Sequence, residues 1–235
     1  MTPKEQHEFW LKFHRFQMRY ELMYTPQINN VLKNQVQQYI KYHDLVYVRS
    51  SELYGVLLEL YKTTGTAWAW NTRGLLSKKA GGQMGFSERV VSTMQQIFGF
   101  NLLNDAENIT QTTINTIQKV LTEAAVEGWS FDEIVSKITA PDFTKERARL
   151  IARTETVNAA NAGSIANLKD AGAGKKIWIA ARDHRTREHH REVDQTVIGI
   201  NDRFKVGDSL MLHPGDKAGT AAEVCNCRCA VAGVV

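Results

Sequence analysis

The chain has 235 residues, 43% hydrophobic and 23% charged, with a formal net charge of +4 and a pI near 8.9. That is the composition of a globular protein of one large domain or two small ones, and its mild basic excess permits contact with nucleic acid or an acidic partner without demanding either. No run approaches the roughly 18 apolar residues of a membrane span, and the polar start MTPKEQHEFW lacks the apolar stretch of a signal peptide.

Residues 1 to about 172 read as helices. TPKEQ opens the first, with Thr2 as cap, Pro3 at the first helical position and Glu5 completing a capping box. Phe9, Trp10, Phe13, Phe16 and Leu22 follow at helical spacing, and Pro26 is expected to start a second helix running toward His43. SSELYGVLLELYKTT predicts a third, ending before Gly65. The next stretch, TGTAWAWNTRGLLSKKAGGQMGFS, reads as a loop with short helical pieces. Ser87 is expected to cap a helix with RVVSTMQQIFGF as its body, and another helix covers about Thr110 to Glu127. Ser130 and Glu133 repeat the capping-box spacing in GWSFDEIVSKI. A long helix follows over 144–171, with Thr144 as cap and Gly172 as terminator.

After Gly174 the texture changes. Ile177, Trp178 and Ile179 form a strand-like run. TVIGI, RFKVGD, SLMLHPGD and CRCAVAGVV are short apolar pieces separated by Gly, Pro and Asp. A module of about 60 residues is too small for a large core of its own and usually needs a staple: a metal, a disulfide, or packing against a larger domain. The predicted fold class is α+β: a long α-helical N-terminal region followed by a small β-rich module over 175–235, with a metal ion as candidate staple.

The three cysteines all lie in that module, at Cys225, Cys227 and Cys229, and they are too few and too close for a disulfide framework. A reducing compartment is the default. If the segment is extended, alternate residues project to one side and the three thiols face together. Two thiolates and an imidazole suit zinc, and His184, His189, His190 and His213 lie in the same module. The plainer alternative is that the cysteines are small buried apolar residues. In WIAARDHRTREHHREVDQ, arginines alternate with acids. This is either a solvated turn or a polar network that presents a histidine. A phosphate site is a further option there, weakened by the acids that cancel the arginine charge.

Taken in order, IARTETVNAANAG, W…RDHRTREHH…VD and HPGD…NCRC resemble the phage head morphogenesis family, the Mu F-like minor head proteins, over about 128–230. The family's blocks fall on Ala152, Arg153, Thr154 and Glu155; on Asp183, Arg185, Thr186, Arg187 and His190; and on Cys227, Arg228 and Cys229. The family tends to place Gly after the VD step, where this chain has Gln195. Domain boundaries follow: 1–127 is a helical, partner-binding region and 128–235 is the Mu F-like domain.

The resemblance implies a minor capsid protein of a tailed phage or prophage, present in the virion head and in the host cytoplasm during assembly. Its implied partners are the portal protein, the major capsid protein, or both, and its implied roles are head assembly and DNA delivery, with no reaction assigned. Contact with packaged DNA would be non-specific, and no membrane is implicated. The candidate metal ligands are His190, Cys227, Cys229 and Asp183, with His189, His213 and Cys225 as alternatives for the fourth place. Arg153, Glu155, Arg185 and Arg187 form a candidate structural network, in which Arg153 or Glu155 docks the module onto the long helix through the arginine-rich segment. The competing class is a metal-dependent hydrolase, nuclease or toxin-like domain, with Asp183 or Glu188 as base. A plain DNA-binding module is disfavoured, since 141–235 holds 15 Lys and Arg against 12 Asp and Glu, an excess of only 3. Trp10, Trp68 and Trp70 are the candidate interface anchors wherever they are exposed.

Overall fold

The computed structural model describes residues 1–73, 85–98 and 101–234. Among the described residues, six α-helices come first: α1 (Pro3–Tyr42), α2 (Ser51–Arg73), α3 (Phe86–Phe98), α4 (Asn101–Glu127), α5 (Phe131–Ile138) and α6 (Pro141–Asp170), with a single 3-10 turn at Leu45–Tyr47. Strand β1 (Lys175–Ile179), helix α7 (Glu188–Glu192), strands β2 (Val197–Gly199), β3 (Phe204–Val206) and β4 (Ser209–Met211), helix α8 (Ala221–Val224) and strand β5 (Ala230–Val234) follow. The α+β class and the change of texture after α6 are as expected from the sequence.

Several helices run further than expected. Helix α1 passes through Pro26 without ending. Proline removes one helical hydrogen bond and crowds the carbonyl four residues back, which here belongs to Leu22. Pro26 and Leu22 both lie on the exposed face, where solvent can satisfy that carbonyl, while Tyr24, Ile28, Val31 and Leu32 continue the buried stripe. Helix α2 likewise runs through Gly65 to Arg73, so the expected loop is helical up to that point, and its stretch 74–84 lies outside the described residues. Gly65 is there for packing. A Cβ on Gly163 would stand 2.2 Å from the Gly65 carbonyl oxygen, so α2 and α6 approach at a spacing that only glycine permits. Helix α4 starts at Asn101, ahead of Thr110, and Ser87 and Thr144 sit inside their helices rather than at the caps. The Ser130–Glu133 capping box forms as predicted, and Gly172, at φ +70°, follows the end of α6.

The chain forms two compact units, neither of them one stretch of sequence. The first comprises Met1–Glu21, Leu60–Gly99 and Arg153–Val235; the second comprises Leu22–Glu59 and Phe100–Ala152. In the second unit Val36, Tyr39, Val48, Ile117 and Ile138 form the core. Gln35 donates to the Thr110 hydroxyl at 2.9 Å, and Arg147 donates to the Thr113 hydroxyl at 2.6 Å and to the Ile109 carbonyl.

The first unit holds the β module. Strand β1 lies between β2 and β5, antiparallel to both, with Ile177 opposite Val197 on one side and Ala232 on the other. Strands β3 and β4 form a separate hairpin. The module packs on the second half of α6, whose residues from Thr154 to Leu168 are buried all round, as in a central helix. Asn161 is wholly buried there. Its Nδ2 donates to the carbonyls of Pro214 and Cys229, both at 3.0 Å, and its Oδ1 accepts from the Val231 N–H at 2.9 Å. One side chain thereby ties the helix to the HPGD turn, the cysteine segment and β5. On the other side of α6, Trp68 donates to Ser164 at 2.8 Å and meets Phe9 and Phe13 edge-on, so Trp68 is core and no surface anchor. Trp10 is half-buried, with its indole N–H on the Arg228 carbonyl at 3.1 Å, whereas Trp70 is exposed.

Candidate metal centre

The centre is assembled by two short helices and a bend. Helix α7 presents His189 and His190, and α8 presents Glu223. The cysteine segment itself is not a strand. Cys225 caps α8, Asn226 turns the chain at φ +60°, and β5 begins only at Ala230. The expected alternation therefore fails at Cys225, which is exposed, while Cys227 and Cys229 are buried.

Those two thiols meet His190. Its Nδ1 lies 3.4 Å from the Cys229 sulfur and 3.7 Å from the Cys227 sulfur, and the three ligand atoms all stand within 4.8 Å of one another. Zinc–sulfur and zinc–imidazole bonds in a tetrahedron place N and S about 3.6 Å apart, between the two observed separations. The other face of His190 is held by a carboxylate, with Nε2 3.0 Å from Glu223 Oε2. Burial opposes charge on Glu223, but His189 and His190 outweigh it and hold its pKa below the usual carboxylate range. An ionised carboxylate only accepts, so His190 donates to it from Nε2, and the other ring nitrogen, Nδ1, faces the two sulfurs. This is the carboxylate–histidine arrangement that orients metal ligands. The neighbouring Cys229 thiol, with His190 beside it, draws the Cys227 thiol well below its ordinary pKa against the effect of burial. The same neighbour, together with burial, pushes Cys229 well above its own.

The other candidates are placed as follows. Asp183 does not reach this group. Arg228 grips both its oxygens, through Nη1 to Oδ2 and through Nη2 to Oδ1 at 3.0 Å, and the Arg185 N–H and Thr186 hydroxyl also donate to Oδ1. Burial raises the Asp183 pKa, but Arg228 and these donors bring it down to about 2. The arginine of Cys-Arg-Cys thus locks the Asp-x-Arg-Thr turn. His189 is exposed and bonds Glu223 Oε1 at 2.8 Å, which raises the imidazole pKa. Arg187 donates to the Cys225 carbonyl at 2.5 Å. Arg185 lies 3.8 Å from Asp183.

Arg153 and Glu155 engage other partners than the arginine-rich segment. Arg153 forks onto Glu21 at 2.8 and 3.0 Å and donates to Asn226 at 2.7 Å. Glu155 is buried and accepts from Lys217 at 2.6 Å and from Tyr61 at 2.8 Å. Gln195 adopts φ +65°, so the turn after VD keeps a left-handed backbone without glycine, a conformation costing about 1–2 kcal/mol. Sequence reasoning passed over Glu223 and Asn161. The signal for Glu223 was its place two residues before Cys225, since a metal-bound histidine needs an acceptor on its second nitrogen.

The protein class that this helix-backed module defines is given by a family model. Residues 115–232 match the Phage Mu protein F like family, half of the chain, and the chain belongs to that family. Among curated proteins, it is 31% identical over 127 residues to the minor head protein GP7 of Bacillus phage SPP1, covering 52% of this chain and 41% of that protein. It is 32% identical over 136 residues to the uncharacterized protein YqbB of Bacillus subtilis strain 168, covering 55% and 45% respectively. It is also 28% identical over 134 residues to the NAD(+)–arginine ADP-ribosyltransferase EFV of Enterococcus faecalis V583, covering 55% of this chain and 26% of that one. The chain thus spans less than half the length of these relatives. No solved structure matches.

Proposed function

We propose that the chain is a minor head protein of a tailed phage or prophage, bound to the portal or the head interior, acting in head assembly and DNA delivery without catalytic turnover. Family membership over 115–232 carries this reading, and the likeness to a minor head protein supports it. The segment 128–235 carries the morphogenetic role, and the helices of 1–127 supply surface for portal or capsid partners. Trp70, exposed and stacked with Arg73 at 5.0 Å, is the tryptophan best placed to anchor a partner. Contact with packaged DNA would be sequence-blind and salt-sensitive.

His190, Cys227 and Cys229 would hold a structural zinc ion. Bound there, zinc would supply cross-linking energy to a module with a small core. The hydrolase alternative needs a nearby base, and Asp183, held near pKa 2 by Arg228, is a weak one at neutral pH. The ADP-ribosyltransferase likeness reaches only 26% of that protein and assigns no chemistry to these residues.

The test is purification of ring-shaped portal assemblies from an induced host. The proposal predicts this chain in the rings or in heads containing them. Rings and heads that lack it would overturn the reading.

A further inference from the structure

Among the described residues, the buried polar atoms without a hydrogen-bond partner include His213 Nε2. Buried polar groups are nearly always satisfied, so an unpartnered imidazole nitrogen in the module that holds a group of potential metal ligands calls for an explanation. His213 is 1% exposed. Its Nδ1 lies 3.1 Å from the Pro214 carbonyl oxygen, which only accepts, so the proton is on Nδ1 and Nε2 carries a bare lone pair. That is the tautomer a metal ligand needs. The same Pro214 carbonyl accepts from Asn161 Nδ2, which also donates to the Cys229 carbonyl, and this shared amide holds the HPGD turn against the cysteine segment. Trp178 lies under the group, edge-on to His190 at a ring separation of 5.5 Å.

Of the alternatives for a fourth ligand, Asp183 is committed to Arg228, His189 to Glu223, and Cys225 faces solvent. We infer that His213, through Nε2, is the fourth ligand of a closed two-cysteine, two-histidine zinc site made with His190, Cys227 and Cys229. The inference rests on the metal reading above and deepens it, because four protein ligands leave no position for a reactive water and make the site structural. His213 stands outside the 4.8 Å group of the other three, so ligation draws its imidazole inward. The unpartnered Nε2 of His213 is thereby satisfied.

X-ray absorption at the zinc edge of the full chain, loaded with one equivalent of zinc, counts the ligands directly. The expected set is two sulfurs and two imidazoles. His213→Ala, compared by competition with a chromophoric chelator, should bind zinc at least tenfold more weakly and show one imidazole fewer. Two sulfurs and a single imidazole in the wild type, or an unchanged ligand set and affinity in His213→Ala, would remove His213 while leaving the metal reading intact. Failure of the wild type to bind zinc or cobalt(II) would overturn both. The wild-type ligand count decides the matter even where the variant does not fold.

Discussion

Asn161 makes three hydrogen bonds to three separate segments from a fully buried position. Truncating it leaves the Val231 N–H and the Cys229 carbonyl without that partner, and the Pro214 carbonyl with His213 alone, in a buried place. Asn161→Ala should therefore cost on the order of 3 kcal/mol, measured by chemical denaturation followed through tryptophan fluorescence. Asp183 acts at the same scale and is sensitive to acid. Its folded pKa of about 2 lies below the ordinary 3.8. The stability it contributes is thus full above pH 3.8 and is lost as pH falls through about 2. In the presence of a chelator, the wild type should lose stability across that window. Asp183→Asn should be weaker at neutral pH and flatter below pH 4. Parallel acid-unfolding curves for the two proteins would show that the Arg228 pair contributes nothing.

At the scale of elements, the contact of α2 with α6 depends on two glycines. Gly163→Ala places a methyl group against the Gly65 carbonyl and should destabilise by about 3 kcal/mol or more. Gly55, in α2, has open space at its Cβ position, so Gly55→Ala should stabilise by about 0.5–1 kcal/mol through helix propensity. Thermal melts of the two variants check both signs. The cysteine segment supplies the matching prediction for the β module. Cys227→Ser should raise amide exchange in α8, the 225–229 bend and β5 while leaving α4 and α5 protected, and uniform exchange across both regions would contradict it.

These elements also show what was legible in the sequence. The capping box at Ser130, the stop at Gly172 and the strand-like run at Ile177 depend on neighbours in sequence, and local grammar found them. Pro26 and Gly65 looked like helix breaks because their meaning is tertiary: one sits on a solvated face, the other against a second helix. At the candidate site, His190, Cys227 and Cys229 were readable as types that bind metals. Asp183 was misplaced because its partner, Arg228, lies 45 residues away. Asn161 was missed because nothing local marks it as an interior residue, and Glu223 because its place near Cys225 gains meaning only through His190, 33 residues away.

For the whole molecule, the proposed role in a phage head rests on family membership over residues 115–232. His190 reaches Cys227 and Cys229, and Asp183 reaches the arginine between them, so the motifs specify one piece of architecture. The most direct test is deletion of the gene from the parent phage or prophage, followed by the infectivity and protein profile of the purified particles. The account predicts that the protein is present in wild-type heads and that its loss lowers infectivity or leaves heads defective in assembly or DNA delivery. Particles of unchanged composition and full infectivity would contradict it.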